Sequence, residues 1–189
     1  MTVLLTILTV LSSFLANLET KTLKSDFTLT VSESANSPLN YPGAITLHGR
    51  QFVLTMFGLD AAYDGETLYM YSGDTDELTL STPTEQELLE ANPFLYAQAL
   101  VNVCHITEHP VTETPTPVTL ITLTPKDQSI GINKFTLKVR TEDLMPLSIE
   151  LKEKQKTTTV RLNNPQFIST EPSFIIVPDK DTYINDMRL

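Results

Sequence analysis

Cys104, His105 and His109 form the closest gathering of metal-ligating residue types in the chain, with the two histidines four apart. That spacing puts both imidazoles on one side only if the segment is helical. Pro110 and the polar residues around it argue against a helix, so the pair reads as solvated loop histidines and no metal site is expected. His48 alternates with Leu47 in a strand-like stretch, which points it outward. Asp74, Asp76 and Glu77 cluster, as do Asp179 and Asp181. The first group lacks the spacing of a calcium loop, and both read as solvated turns. Proton transfer needs an acid and a base facing each other across a cleft, and nothing in the pattern recommends such a pair. There is no Gly-x-Ser-x-Gly elbow, and the six glycines form no Gly-x-Gly pair. No catalytic residue and no cofactor is expected, and the chain reads as a non-enzyme.

What remains is apolar. Phe52, Leu54, Met56, Met70, Phe94, Phe135 and Met145 are candidates for the lining of a concave surface, together with Phe14, Leu29 and Leu47. Methionine adapts to variable apolar partners. The same residues also suit an ordinary core. Only an excess of inward apolar surface over what the helices can fill would leave a cavity.

The elements that must position these residues follow from periodicity. At about 100° per residue, Val3, Leu4, Ile7, Leu8, Val10, Leu11, Phe14, Leu15 and Leu18 fall within an arc of roughly 160°, opposite Thr2, Thr6, Thr9, Ser12, Ser13, Ala16 and Asn17. A secretory leader has no need of two faces and would carry a basic start and a cleavage site. Met1–Leu18 therefore reads as a structural helix, with a leader removed upstream of Met1. The period then changes to two, with Phe27, Leu29 and Val31 alternating with polar residues. Ile45 and Leu47, a break at Gly49, then Phe52, Leu54 and Met56 continue the pattern. Asp64-Gly65 is a strong hairpin signal leading into Leu68–Tyr71.

Thr84 and Glu87 have the spacing of a capping box, and Asn92-Pro93 starts a second helix. His105–Pro117, with three prolines, reads as a loop or an irregular edge. Strands are expected at Val118–Thr124, Lys134–Arg140, Leu147–Leu151, Thr157–Leu162 and Pro172–Val177. Lys152, Lys154 and Lys156 read as the solvent side of a strand. A one-faced antiparallel sheet must bury its apolar side, and the helices are the available covers.

At 189 residues a single domain over 1–189 is expected, with 41% hydrophobic residues. Twenty-three acids against 13 bases leave a charge of −10 and no basic run, which disfavours nucleic acid and anionic membrane surfaces. The lone Cys104 excludes an intramolecular disulfide and reads as a small buried residue.

The succession of local motifs resembles the LolA-like lipoprotein carriers. Leu23–Thr30 (LKSDFTLT) is similar to that family's opening strand, and Gly43–Ile45 leading to Gly49–Leu54 to its next hairpin. Tyr63–Tyr71 (YDGETLYMY) resembles its Asp-Gly hairpin, with Tyr69 at the family's tryptophan position. Thr82–Leu88 with Asn92-Pro93 resembles the start of its lid, and Tyr183–Arg188 its terminal strand. The resemblance implies a mainly β fold: an unclosed antiparallel barrel, or strongly curved sheet, covered by an N-terminal helix and a central helical lid over a hydrophobic cavity. It implies a periplasmic carrier that shelters the acyl chains of lipid-modified proteins. Its partners would be an inner-membrane releasing transporter and an outer-membrane acceptor, and it would act as a monomer. A sensor or free-lipid binder on the same half-barrel is the alternative. The family's Arg-Pro-x-x-Phe, whose arginine holds the lid shut, is replaced by Arg50-Gln51-Phe52. Arg50 is thus either the lid contact or an exposed strand arginine.

Overall fold

The computed structural model describes residues 9–33, 37–112, 115–127, 129, 131–169 and 172–188. Helix α1 (Val10–Thr20) opens the described chain, with the Thr9 hydroxyl accepting from the Ser12 N–H at its N-terminus. The part of the expected helix before Thr9 lies outside the described residues. Six strands follow in hairpin succession: β1 (Thr22–Glu33), β2 (Leu39–His48), β3 (Gln51–Met56), β4 (Leu59–Tyr63), β5 (Leu68–Ser72) and β6 (Glu77–Ser81). Helices α2 (Glu85–Ala91) and α3 (Pro93–Leu100) interrupt them. A second succession completes the sheet: β7 (Cys104–Val111), β8 (Val118–Pro125), β9 (Lys134–Arg140), β10 (Pro146–Lys152) and β11 (Lys156–Ile168), followed by β12 (Tyr183–Asp186).

The spatial order is β12-β6-β5-β4-β3-β2-β1-β11-β10-β9-β8-β7. The long antiparallel pairing of β1 with β11 joins the two halves, and β12 adds to β6 in parallel. The sheet does not close, so β12 and β7 are its edges. This order dictates where the helices go. Strands β6 and β7 lie near opposite margins, ten strand spacings apart, or about 48 Å on a flat sheet. The sixteen residues from Glu85 to Leu100 give about 24 Å as helix, and the short links on either side add roughly 20 Å at full stretch. The connection must therefore cross over the sheet, and curvature lets it do so without strain.

The register sets the face it crosses. Leu23, Leu47, Phe52 and Tyr63 stand side by side on β1 to β4. On the other half Val160, Ile149, Leu137 and Ile121 make a second row, which Leu29 joins from β1. Leu11, Phe14 and Leu18 of α1, Leu88 of α2, and Phe94, Leu95, Ala97 and Leu100 of α3 pack with these rows in one core. Ala62, Leu78, Leu80 and Phe174 are buried outside that core, and Tyr69 pairs with Ala62 and Leu80 on the alternate face.

Of the two readings of His105–Pro117, the edge holds through Val111: it is edge strand β7, whose hydrogen bonds to β8 outweigh the weak propensity of its residues. Two sequence expectations change. Pro172–Val177 is not a strand, since Phe174 is buried there by packing without sheet pairing. Lys154 lies in the turn between β10 and β11 rather than on a strand face.

Candidate functional site

The hairpin between β2 and β3 is the point where sheet and helices are fastened. Gly49 turns with φ +54°, in the left-handed region that glycine adopts without penalty. Its N–H donates to the Leu18 carbonyl at 2.7 Å, fixing the end of α1. The next residue, Arg50, reaches the first residue of α2. Its Nη1 and Nη2 donate to Glu85 Oε1 and Oε2 at 3.2 and 2.6 Å. The hydrogen bond from Arg50 holds the Glu85 carboxyl below its ordinary range, and the same bond raises Arg50. Both side chains are substantially exposed, at 46% and 63%. Such a pair contributes little to global stability, so it orients α2 without welding it down.

Glu85 follows the N-cap Thr84 of the predicted capping box, which Thr84 and Glu87 form. The Thr84 hydroxyl accepts from the Glu87 N–H, and the Glu87 carboxylate accepts from the Thr84 N–H at 2.7 Å. Asn92 ends α2 and caps α3, with Pro93 at the first helical position as expected.

At the far edge, Glu108 supplies a second fastening. Its Oε2 and Oε1 accept from the N–H groups of Val10 and Leu11 at 3.1 and 2.9 Å. A carboxylate at a helix N-terminus satisfies orphan donors and complements the helix dipole. Glu108 pairs with Ile121 on β8 and so ends the apolar row that runs through Leu137 and Ile149. A segment of prolines, histidines and threonines that reads as a loop or an irregular edge does not announce this role. As a strand, its alternation places Glu108 on the helix-bearing face.

Of the candidate lining residues, Phe14, Leu47, Phe52, Phe94 and Phe135 are at most 3% exposed. Phe14 and Phe94 have ring centroids 5.8 Å apart, and Phe52 and Tyr63 6.0 Å. These side chains pack on one another, so the helices occupy the concave face in this state. Met145 is buried in the same core. Leu29, Leu54 and Met56 are half-buried at its border. Met70 departs from the expectation. It follows Ile45, Leu54 and Ala61 across the sheet but lies past the reach of the helices, 43% exposed. It lines open surface, not an enclosed hollow.

Leu59 and Phe57 are exposed in the same region, and Phe57 meets Tyr41 edge to face at 4.6 Å. An open groove of about 690 Å³ runs along β1 to β3, with Phe27, Tyr41, Gly43, Met56 and Phe57 among its walls. A Cβ on Gly43 would fall onto the Phe27 ring, so only glycine fits beneath it.

The polar candidates do not converge. His105 and His109 are exposed on β7, about 13 Å apart at the rise of a strand. Cys104 is buried, and burial pushes its thiol up, away from the reactive thiolate. Among the described residues no three of His, Cys, Asp and Glu gather as a metal site. No described helix is long and apolar enough to cross a membrane.

No family model matches the sequence, and no curated protein matches it. Solved structures do. An uncharacterized conserved protein from Thermus thermophilus is 10% identical, with a TM-score of 0.60 over 93% of this chain and 96% of that one. A chain of the Pseudomonas aeruginosa MucA/MucB complex is 14% identical, with a TM-score of 0.51 over 86% of this chain and 57% of that one. A LolA superfamily protein from Nitrosomonas europaea is 9% identical, with a TM-score of 0.40 over 84% of this chain and 94% of that one. At such identities likeness speaks to fold alone. An unclosed antiparallel sheet with helices on its inner face is the architecture the sequence resemblance implies. The fold is shared with the Thermus thermophilus protein and with a chain of the MucA/MucB complex. The Arg50–Glu85 pair joins the β2–β3 hairpin of this fold to the first residue of α2.

Proposed function

We propose that this chain is a carrier that shelters the acyl chains of lipid-modified proteins between the curved sheet and its helices. One observation carries the reading: a continuous apolar face, most of it packed under short helices held at their ends by polar contacts, with an open margin at Met70, Leu59 and Phe57. Lifting α2 and α3 would expose Phe52, Leu47 and Phe135 to a ligand. Each methylene moved from water to that face contributes about 0.8 kcal/mol, so two acyl chains offset the lost helix contacts. On this reading Phe14, Leu29, Leu47, Phe52, Leu54, Met56, Phe94 and Phe135 meet the load, Met70 meets it at the open rim, and Arg50 is the lid contact.

The LolA resemblance supports a periplasmic setting, a monomer, an inner-membrane transporter as donor and an outer-membrane acceptor. The absence of a recognisable nucleophile or proton-transfer pair fits binding without catalysis. The likeness to a chain of the MucA/MucB complex favours one other reading, a sensor that recognises a protein partner on the same fold. Mass spectrometry of the protein purified under native conditions tests the proposal. Co-purifying acylated protein or lipid supports it, and an empty chain after expression with abundant lipoproteins contradicts it. Photo-crosslinking from Leu54 in cells then divides the readings. Trapped lipoproteins support the carrier, and one trapped non-lipidated partner supports the sensor.

A further inference from the structure

Asn92 lies between α2 and α3 with no exposed surface. Its backbone N–H donates to the Leu88 carbonyl at 3.0 Å. Its Oδ1 accepts from the N–H groups of Phe94 and Leu95 at 3.0 and 3.4 Å. These two bonds fix which end of the amide faces α3 and leave Nδ2 on the other side. Nδ2 is buried and has no hydrogen-bond partner among the described residues. The residues beside it in the helices, Leu88, Phe94 and Leu95, are buried apolar core.

Capping alone does not call for asparagine. A serine hydroxyl caps about as well and brings no amide N–H₂ to be satisfied. A buried donor with no acceptor lowers stability, so its presence among the buried apolar residues of the α2–α3 junction needs a reason. Thr136 Oγ1 is also buried without a partner. It stands between Phe135 and Leu137, which face the helices, and so points to the opposite side of β9. Of the two, Asn92 alone sits beside the buried apolar side chains of the helices, Leu88, Phe94 and Leu95, which a load would displace.

We infer that Asn92 Nδ2 donates to the ester carbonyl of a bound acyl lipid, at the headgroup end of chains that replace helix side chains on the sheet. The inference rests on the acyl-binding reading and deepens it, because it selects ester-linked lipid over ether-linked lipid of the same length. The probes are dioctanoylglycerol and the matching dioctylglycerol ether, each displacing an apolar fluorescent dye from the full chain. The wild type is expected to bind the ester about threefold to tenfold more tightly, the size of one net hydrogen bond. Asn92→Ser keeps the cap and is expected to bind both alike.

Equal affinities in the wild type overturn the inference and leave the carrier reading standing. Failure to bind either lipid overturns both. An ester preference that survives in Asn92→Ser assigns the carbonyl to another group and overturns the inference. Should that variant fold poorly, the side-chain amide protons of Asn92 in the wild type decide. They move downfield with the ester and not with the ether if the inference holds, and respond identically if it does not.

Discussion

Two stretches of one sheet face, a few residues apart, behave differently. Leu23, Leu47, Phe52 and Tyr63 form a row that is at most 7% exposed. The next row on the same face passes from Ile45 at 5% through half-buried Leu54 and Ala61 to Met70 at 43%. Both rows are apolar and share one hydrogen-bonded register, so the sheet does not create the contrast. The helices do: α1 packs on β2, and the first row lies with the helix side chains in one core, which Leu54 and Ala61 only border and Met70 does not reach. A surface that is apolar throughout but covered only in part is suited to a cover that moves.

The contrast breaks hardest at Phe52. Phe52→Ala empties a closed core and is expected to lower unfolding stability by about 3–5 kcal/mol in urea titrations. Met70→Ala on the open row is expected to cost under about 1 kcal/mol while weakening binding of an apolar dye. Equal costs would mean that the two rows are equally covered. Gly43→Val sets a branched side chain against the Phe27 ring. An overpacking cost of about 1–3 kcal/mol is expected, visible as a lower urea midpoint.

Glu108→Ala removes the acceptor of two α1 N–H groups, worth about 1 kcal/mol by analogy with helix caps. Faster hydrogen exchange in α1 than in α3 is the expected signature. The smallest global effect belongs to Arg50→Ala, which should leave the unfolding midpoint nearly unchanged and raise exchange in α2. The Glu85 carboxyl is held below its ordinary range by Arg50. Its contribution is therefore full above the unfolded carboxylate range and fades as pH falls through the lowered value. Exchange of α2 in the wild type should approach that of Arg50→Ala only under strongly acidic conditions. An equal approach near neutral pH would remove the ion pair from the account.

The legible parts of this chain were those with local physics. Thr84, Glu87 and Asn92-Pro93 announce caps by spacing alone, and Phe135, Leu137 and Val139 alternate so regularly that their inward face follows. Phe52 and Leu47 were legible as inward residues for the same reason. Which of them are covered was not, because cover depends on where α2 and α3 land after crossing the sheet. Glu85 was legible as the start of a helix but not as the partner of Arg50, thirty-five residues earlier. Glu108 was hidden by its setting, since prolines, histidines and threonines disguise an edge strand that exists only through pairing with β8. The resemblance to LolA-like carriers supplied the architecture. The fastening of the helices at both ends came from geometry.

The central claim is that α2 must leave the sheet for an acyl load to enter. Replacing Arg50 and Glu85 by cysteines and joining them with a short bismaleimide linker would hold α2 in place while Cys104 stays buried. Affinity for a diacylated lipopeptide is then compared before and after linking. The account predicts binding by the unlinked protein and loss of at least tenfold in affinity once the linker closes. Undiminished binding by the linked protein would contradict it.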